Sequence, residues 1–117
     1  MKSVNTLTAI PIWNEMMSFV KEIYTLTRIF PIEERDGLGL RLRCKIVDLP
    51  MAFAKAINEK SEMNEAQATI AEVETLLLVC YELRLIKKND LDKFQESLDS
   101  IGMQFNQLSR HIAKTAK

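Results

Sequence analysis

Seven apolar residues, Leu91, Phe94, Leu98, Ile101, Phe105, Leu108 and Ile112, recur at alternating spacings of three and four. A repeat near 3.5 residues is an a/d seam, and only an α-helix brings it onto one narrow face. Such a stripe cannot be covered by the helix that carries it, so matching helices must come from elsewhere. Asn89 stands just before the seam as an N-cap, and Asp92 follows near the positive end of the helix dipole.

The preceding chain supplies three partners. A first helix starts near Pro11, a good first-turn residue, and ends near Arg28, because Pro31 disfavours helix at Phe30. Trp13, Met16, Met17, Val20, Ile23 and Tyr24 mark its inward face, and Lys21 and Glu22 face away. Residues 30–37 read as a charged turn. A second helix runs from about Leu38 to Asn58, with Leu38, Leu42, Ile46, Leu49, Phe53 and Ile57 inward. Pro50 interrupts it by removing one backbone hydrogen bond and crowding the Ile46 carbonyl, so a kink is expected there. The competing local reading is a break, with Asp48 capping a restarted helix. Residues 58–61 form a polar connection with Ser61 as a candidate N-cap, and a third helix spans about Glu62 to Ile86 with Ala66, Ile70 and Val73 inward. Four helices on short connections predict an all-α, antiparallel up-down-up-down four-helix bundle with its second helix kinked at the proline. A length of 117 residues suits one domain, residues 11–117, preceded by a flexible arm, residues 1–10.

The third helix is too apolar for this role alone. Residues 76–81, Leu-Leu-Leu-Val-Cys-Tyr, cover every direction around a helix at about 100° per residue. In so small a bundle one face of each helix should stay wet. Leu76, Leu78, Val79 and Tyr81 are therefore expected to form a homo-oligomer interface.

Site chemistry is sparse. His111 is the sole histidine, no Glu-x-x-His pair occurs, and Glu72 and Glu74, two apart, point to different sides. Gly-rich phosphate loops, GxSxG and HExxH are absent, and Gly37-Leu38-Gly39 reads as a turn into a helix. No catalytic residue, metal or cofactor is expected, and the chain is not read as an enzyme. Met16, Met17, Met51, Met63 and Met103 read as core or interface filler, and Trp13 as a bundle-end anchor. Cys44 and Cys80 lack metal spacing and suit a reducing compartment. The first nine residues lack a signal-peptide pattern, and the longest wholly apolar run is too short for a bilayer. A cytoplasmic protein with no membrane association is expected.

Net charge is zero, which argues against a bulk-basic nucleic-acid binder. Charge is nevertheless uneven. Residues 28–45 and 82–93 fall at one end of an up-down bundle and hold nine cations against six acids. Arg35, Arg41, Arg43, Arg84, Lys87 and Lys88 are the candidate RNA contacts there. A solvated, merely charged end is the competing reading. No aromatic residue is interleaved with these six, so phosphate contact rather than base stacking is expected.

Two stretches give the chain a resemblance. One holds Trp13, Ile23-Tyr24-Thr25-Leu26-Thr27, Phe30-Pro31, Glu34, Gly37-Leu38 and Leu42-Arg43; the other is Ala71-Glu72-Val73-Glu74-Thr75-Leu76 followed by Leu83 and Leu85-Ile86. With them the chain resembles the bacterial four-helix-bundle proteins encoded in 23S rRNA intervening sequences, often labelled ribosomal. It departs where that family usually has Ser-Ile-Pro-Ala-Asn-Ile-Ala-Glu-Gly: residues 48–56 here keep only Pro50 and Ala54. The chain is also similar, through Arg35-x-x-Leu38-Gly39-x-Arg41-x-Arg43 and Ile101-Gly102, to accessory proteins of diversity-generating retroelements. Those are usually strongly basic, and this chain is neutral. Both resemblances imply homopentamers without catalytic residues. They imply an RNA-associated accessory or scaffold protein, or alternatively a protein-interaction module or an accessory protein of a retroelement reverse transcriptase. The implied partners are further copies of the chain, and RNA or a nucleic-acid enzyme.

Leu98 lies mid-seam. Leu98→Asp would bury an unpaired charge and is expected to abolish cooperative thermal unfolding by circular dichroism; a stably folded variant would remove the seam from the core.

Overall fold

The computed structural model describes residues 11–115, except for the side chains of Lys60, Ser109 and residues 111–115. The expected N-terminal arm and the side chains of His111 and Ile112 lie outside the described residues. Four long helices make an all-α four-helix bundle: α1 (Pro11–Arg28), α2 (Leu38–Asn58), α3 (Met63–Glu82) and α4 (Lys88–Thr115). A single helical turn, Ile32–Arg35, joins α1 to α2, and a 3-10 turn, Lys60–Glu62, leads into α3.

The α4 seam is the centre of the core. Leu91, Phe94, Leu98, Ile101 and Phe105 are buried, and Leu108 packs half-buried against them. Phe94 stacks on Phe19 of α1 with ring centroids 5.4 Å apart, and Phe105 meets Phe53 of α2 edge-on at 4.5 Å. Polar pairs fix the lateral register. Lys93 Nζ lies 2.7 Å from Glu22 Oε2, an oxygen shielded from solvent with no well-aligned hydrogen-bond donor, and Gln104 donates to Glu15. Lys45 joins α2 to α3 through Glu72 Oε2 at 3.2 Å.

The inward face of α1 keeps Met16 and Ile23 of the expected one and is otherwise turned by one residue. Ile12, Met16, Phe19, Ile23 and Leu26 are buried and lead to Phe30, whereas Trp13, Met17 and Val20 are half-buried and Tyr24 is exposed. Both stripes have helical spacing; the one carrying Phe19 wins because it meets Phe94 across the bundle. The methionines divide similarly: Met16 and Met63 are buried, Met17 is half-buried, and Met51 and Met103 are exposed. On α2, Leu42, Ile46, Leu49 and Phe53 are buried as expected, joined by the small residues Gly39, Ala52 and Ala56. The helix runs without a break through Pro50, so Asp48 caps nothing; its carboxylate lies 3.4 Å from Lys45 Nζ.

Three boundaries differ from the sequence reading. Ser61 sits inside the 3-10 turn, and Glu62 holds the N-cap position of α3 without a side-chain cap bond. Asn89 is the second residue of α4, whose first turn bonds the Leu91 N–H to the Lys87 carbonyl at 3.0 Å. Most consequentially, α3 ends at Glu82 rather than Ile86. Arg84 adopts φ 63°, its N–H bonds Tyr81 O at 2.9 Å, and the Leu85 N–H bonds Cys80 O at 2.9 Å. These are the paired bonds of a Schellman stop. The reversal lets Ile86 enter the core, where it is buried.

The α1–α2 corner is built on close approach. Phe30 is buried, and Arg35 Nε donates to its carbonyl at 3.1 Å. A Cβ on Gly39 would lie 2.9 Å from the Glu34 carbonyl oxygen and 3.5 Å from the Phe30 ring; one on Gly102, inside α4, would meet nothing within 4 Å. Gly39→Ala is therefore expected to destabilise the fold by ~1–3 kcal/mol. Gly102→Ala should stabilise it by ~1 kcal/mol through helix propensity alone. Chemical denaturation of both variants checks the opposite signs.

Candidate interaction surface

The six candidate cations separate into two kinds. Arg35 and Arg43 belong to the corner: Arg35 Nε bonds the Phe30 carbonyl, and Arg43 Nη2 bonds the Arg35 carbonyl at 2.9 Å. Lys88 is engaged as well. Its Nζ lies 2.9 Å from Asp92 Oδ1 and 5.9 Å from the centroid of the Tyr81 ring. The Asp92 hydrogen bond raises the Lys88 pKa above the ordinary lysine value. Arg41, Arg84 and Lys87 are exposed, and their side chains make no hydrogen bond or ion pair among the described residues.

The two charged segments share one end of the bundle. Ile29 lines a shallow surface depression with Asp90 and Lys93, and the Glu34 charge acts on Cys80. The basic excess is thinner than the residue count implied. Lys93 is paired with Glu22, and Lys45 with Glu72 and Asp48. Arg41 lies over the α2–α3 groove, a depression of about 350 Å³ also lined by Leu38, Lys45, Leu76 and Val79. The arrangement suits loose contact with phosphate oxygens; nothing in it is shaped to read a base.

The apolar run of α3 resolves into three pairs. Leu77 and Cys80 are fully buried, and Leu76 and Tyr81 are half-buried against the core. Leu78 and Val79 remain 40% and 39% exposed. Leu83 extends this surface at 56% exposure and was missed, because its place depends on the Schellman stop.

A second apolar surface was missed altogether. Trp13, Met17 and Val20 of α1 and Val47, Pro50, Met51 and Ala54 of α2 line a groove of about 350 Å³. Its signal was the width of the α1 apolar face: two stripes offset by one residue cannot both enter one core.

The thiols are free, Cys44 exposed and Cys80 buried. Burial, aided by the Glu34 charge, pushes the Cys80 pKa up to about 11, the reverse of nucleophile activation. Among the described residues no group of three His, Cys, Asp or Glu is placed to hold a metal, and no helix is long and apolar enough to cross a membrane.

Residues 8–107 match the family model of the 23S rRNA-intervening sequence protein. The chain belongs to that family. No curated protein matches it. The matched segment covers the corner, the α3 strip and most of the α4 seam. Several residues on which the resemblance rested, among them Phe30, Glu34 and Arg43, turn out to pack or bond the α1–α2 corner.

Arg84 holds a left-handed conformation that costs a non-glycine residue ~1 kcal/mol. Arg84→Gly is expected to raise stability by about that amount while removing one of the free cations. A melting temperature that falls instead would show that the Arg84 side chain supports the fold.

Proposed function

We propose that this protein is a non-catalytic, self-associating helical scaffold that holds RNA phosphates loosely through Arg41, Arg84 and Lys87. The observation that carries the reading is on α3: Leu78, Val79 and Leu83 stay exposed on a helix that buries Leu77 and Cys80 completely. A surface of this kind is stabilised by a second copy. Assembly would repeat Arg41, Arg84 and Lys87 of each protomer around one rim. A ring raises the local potential for phosphate although net charge is zero. The family description concerns 23S rRNA intervening sequences, which makes RNA the first polyanion to test. Five copies is the number the family resemblance suggests, and a reducing cytoplasm suits the two free thiols. The apolar α1–α2 groove favours a second reading, a module that binds another protein.

Light scattering is expected to show an oligomer at micromolar concentration, and RNA binding should weaken steeply with salt. Arg41→Glu/Arg84→Glu/Lys87→Glu should keep the oligomer and lose RNA affinity by about tenfold or more at low salt, with a shallower salt dependence. Equal affinity in both proteins, or no binding by wild type at low salt, would put the protein-interaction reading in front.

A further inference from the structure

The α1–α2 groove is lined without a single charged side chain. Other depressions of the described surface have charged walls: Lys21, Asp90 and Lys93 beside α4, and Arg41, Lys45 and Glu72 between α2 and α3. Met51, the outer wall of the uncharged groove, is 54% exposed, and Trp13, Met17 and Val20 are only half-buried. An apolar concavity of about 350 Å³ is large enough to take several side chains.

The chain itself carries a segment of matching chemistry at the mouth of this groove. Residues 1–10 lead directly into Pro11, two positions before Trp13. From Ser3 to Ile10 they hold no charge, and Val4, Leu7 and Ile10 recur every third residue. Pro11 disfavours helix at Ile10, which turns the chain off the α1 axis where the groove begins. Reach is sufficient. From Pro11 to Val20, the far end of the groove, α1 rises about 14 Å. The chain from Pro11 back to Val4 spans up to about 23 Å when extended. Tethering to Pro11 makes the contact intramolecular, so a modest apolar area holds the segment where a free peptide would bind weakly.

We propose that residues 1–10 fold back over the α1–α2 groove of their own chain, with Val4, Leu7 and Ile10 against its apolar floor. The contact needs neither RNA nor a second copy. It is also a property of this chain rather than of the family, whose match begins at residue 8 and leaves out Val4 and Leu7. A protein that used the groove would first have to displace the segment, so residues 1–10 act as an internal competitor for that surface.

Two measurements on the full chain test this. Trp13 is the sole tryptophan, so its fluorescence reads the mouth of the groove. Val4→Asp/Leu7→Asp is expected to shift its emission to the red and to remove its protection from acrylamide, with helix content by circular dichroism unchanged. If that variant loses helix, Val4→Ser/Leu7→Ser replaces it. Independently, a photoreactive benzoylphenylalanine in place of Leu7 should join to the peptide that carries Met51, in a product that keeps the 13.5 kDa mass of one chain. Equal quenching of Trp13 in wild type and variant would overturn the contact. So would a crosslink that appears only between two chains, or Trp13 shielding that grows with protein concentration, since either would put a second copy in the groove.

Discussion

Stacking of Phe94 on Phe19, with Phe105 set edge-on against Phe53, is the contact on which the rest of the bundle depends. Each aromatic pair joins the α4 seam to a different helix and fixes rotation as well as distance. Aliphatic side chains slide past one another at small cost, whereas two rings at 5.4 Å and an interplanar angle of 12° do not. Once Phe19 points at Phe94, every other residue of α1 has its direction. Ile12, Met16, Ile23 and Leu26 go in, and Trp13, Met17, Val20 and Tyr24 are left outside or at the margin.

That rotation produces the α1–α2 groove. The same logic operates on α3, where burying Leu77 and Cys80 turns Leu78 and Val79 outward. In both helices the apolar surface exceeds what one core can take, and the excess emerges on separate faces. A protomer of this design has surface hydrophobicity of the kind that association covers.

The charged end shows how side-chain geometry divides a composition. Arg35 and Arg43 look like the other cations in the sequence, yet both point back at carbonyls of the α1–α2 corner. Lys45, Lys88 and Lys93 each meet a carboxylate. Of the cations at this end, Arg28 at the close of α1, Arg41 on the outer turn of α2, and Arg84 and Lys87 in the α3–α4 connection remain for an anionic ligand among the described residues. Arg84 is there because a helix stop places a non-glycine residue at φ 63°.

Periodicity and turn residues determined by themselves that four helices exist, about where the first two end, and that Leu91, Phe94, Leu98, Ile101 and Phe105 face a core. These are properties of local spacing, and local spacing is written in the chain. The residues of the α3 excess were legible for the same reason, since six consecutive apolar residues cannot all share one face. Tertiary structure alone decided which of the two α1 stripes enters the core, because the choice depends on a ring 75 positions away in the sequence. It also decided the early end of α3, which has no glycine or proline to announce it and is held by a left-handed Arg84 whose reversal buries Ile86. And it decided which cations are free, because a guanidinium spent on a backbone carbonyl and one left in water have the same letter in the sequence.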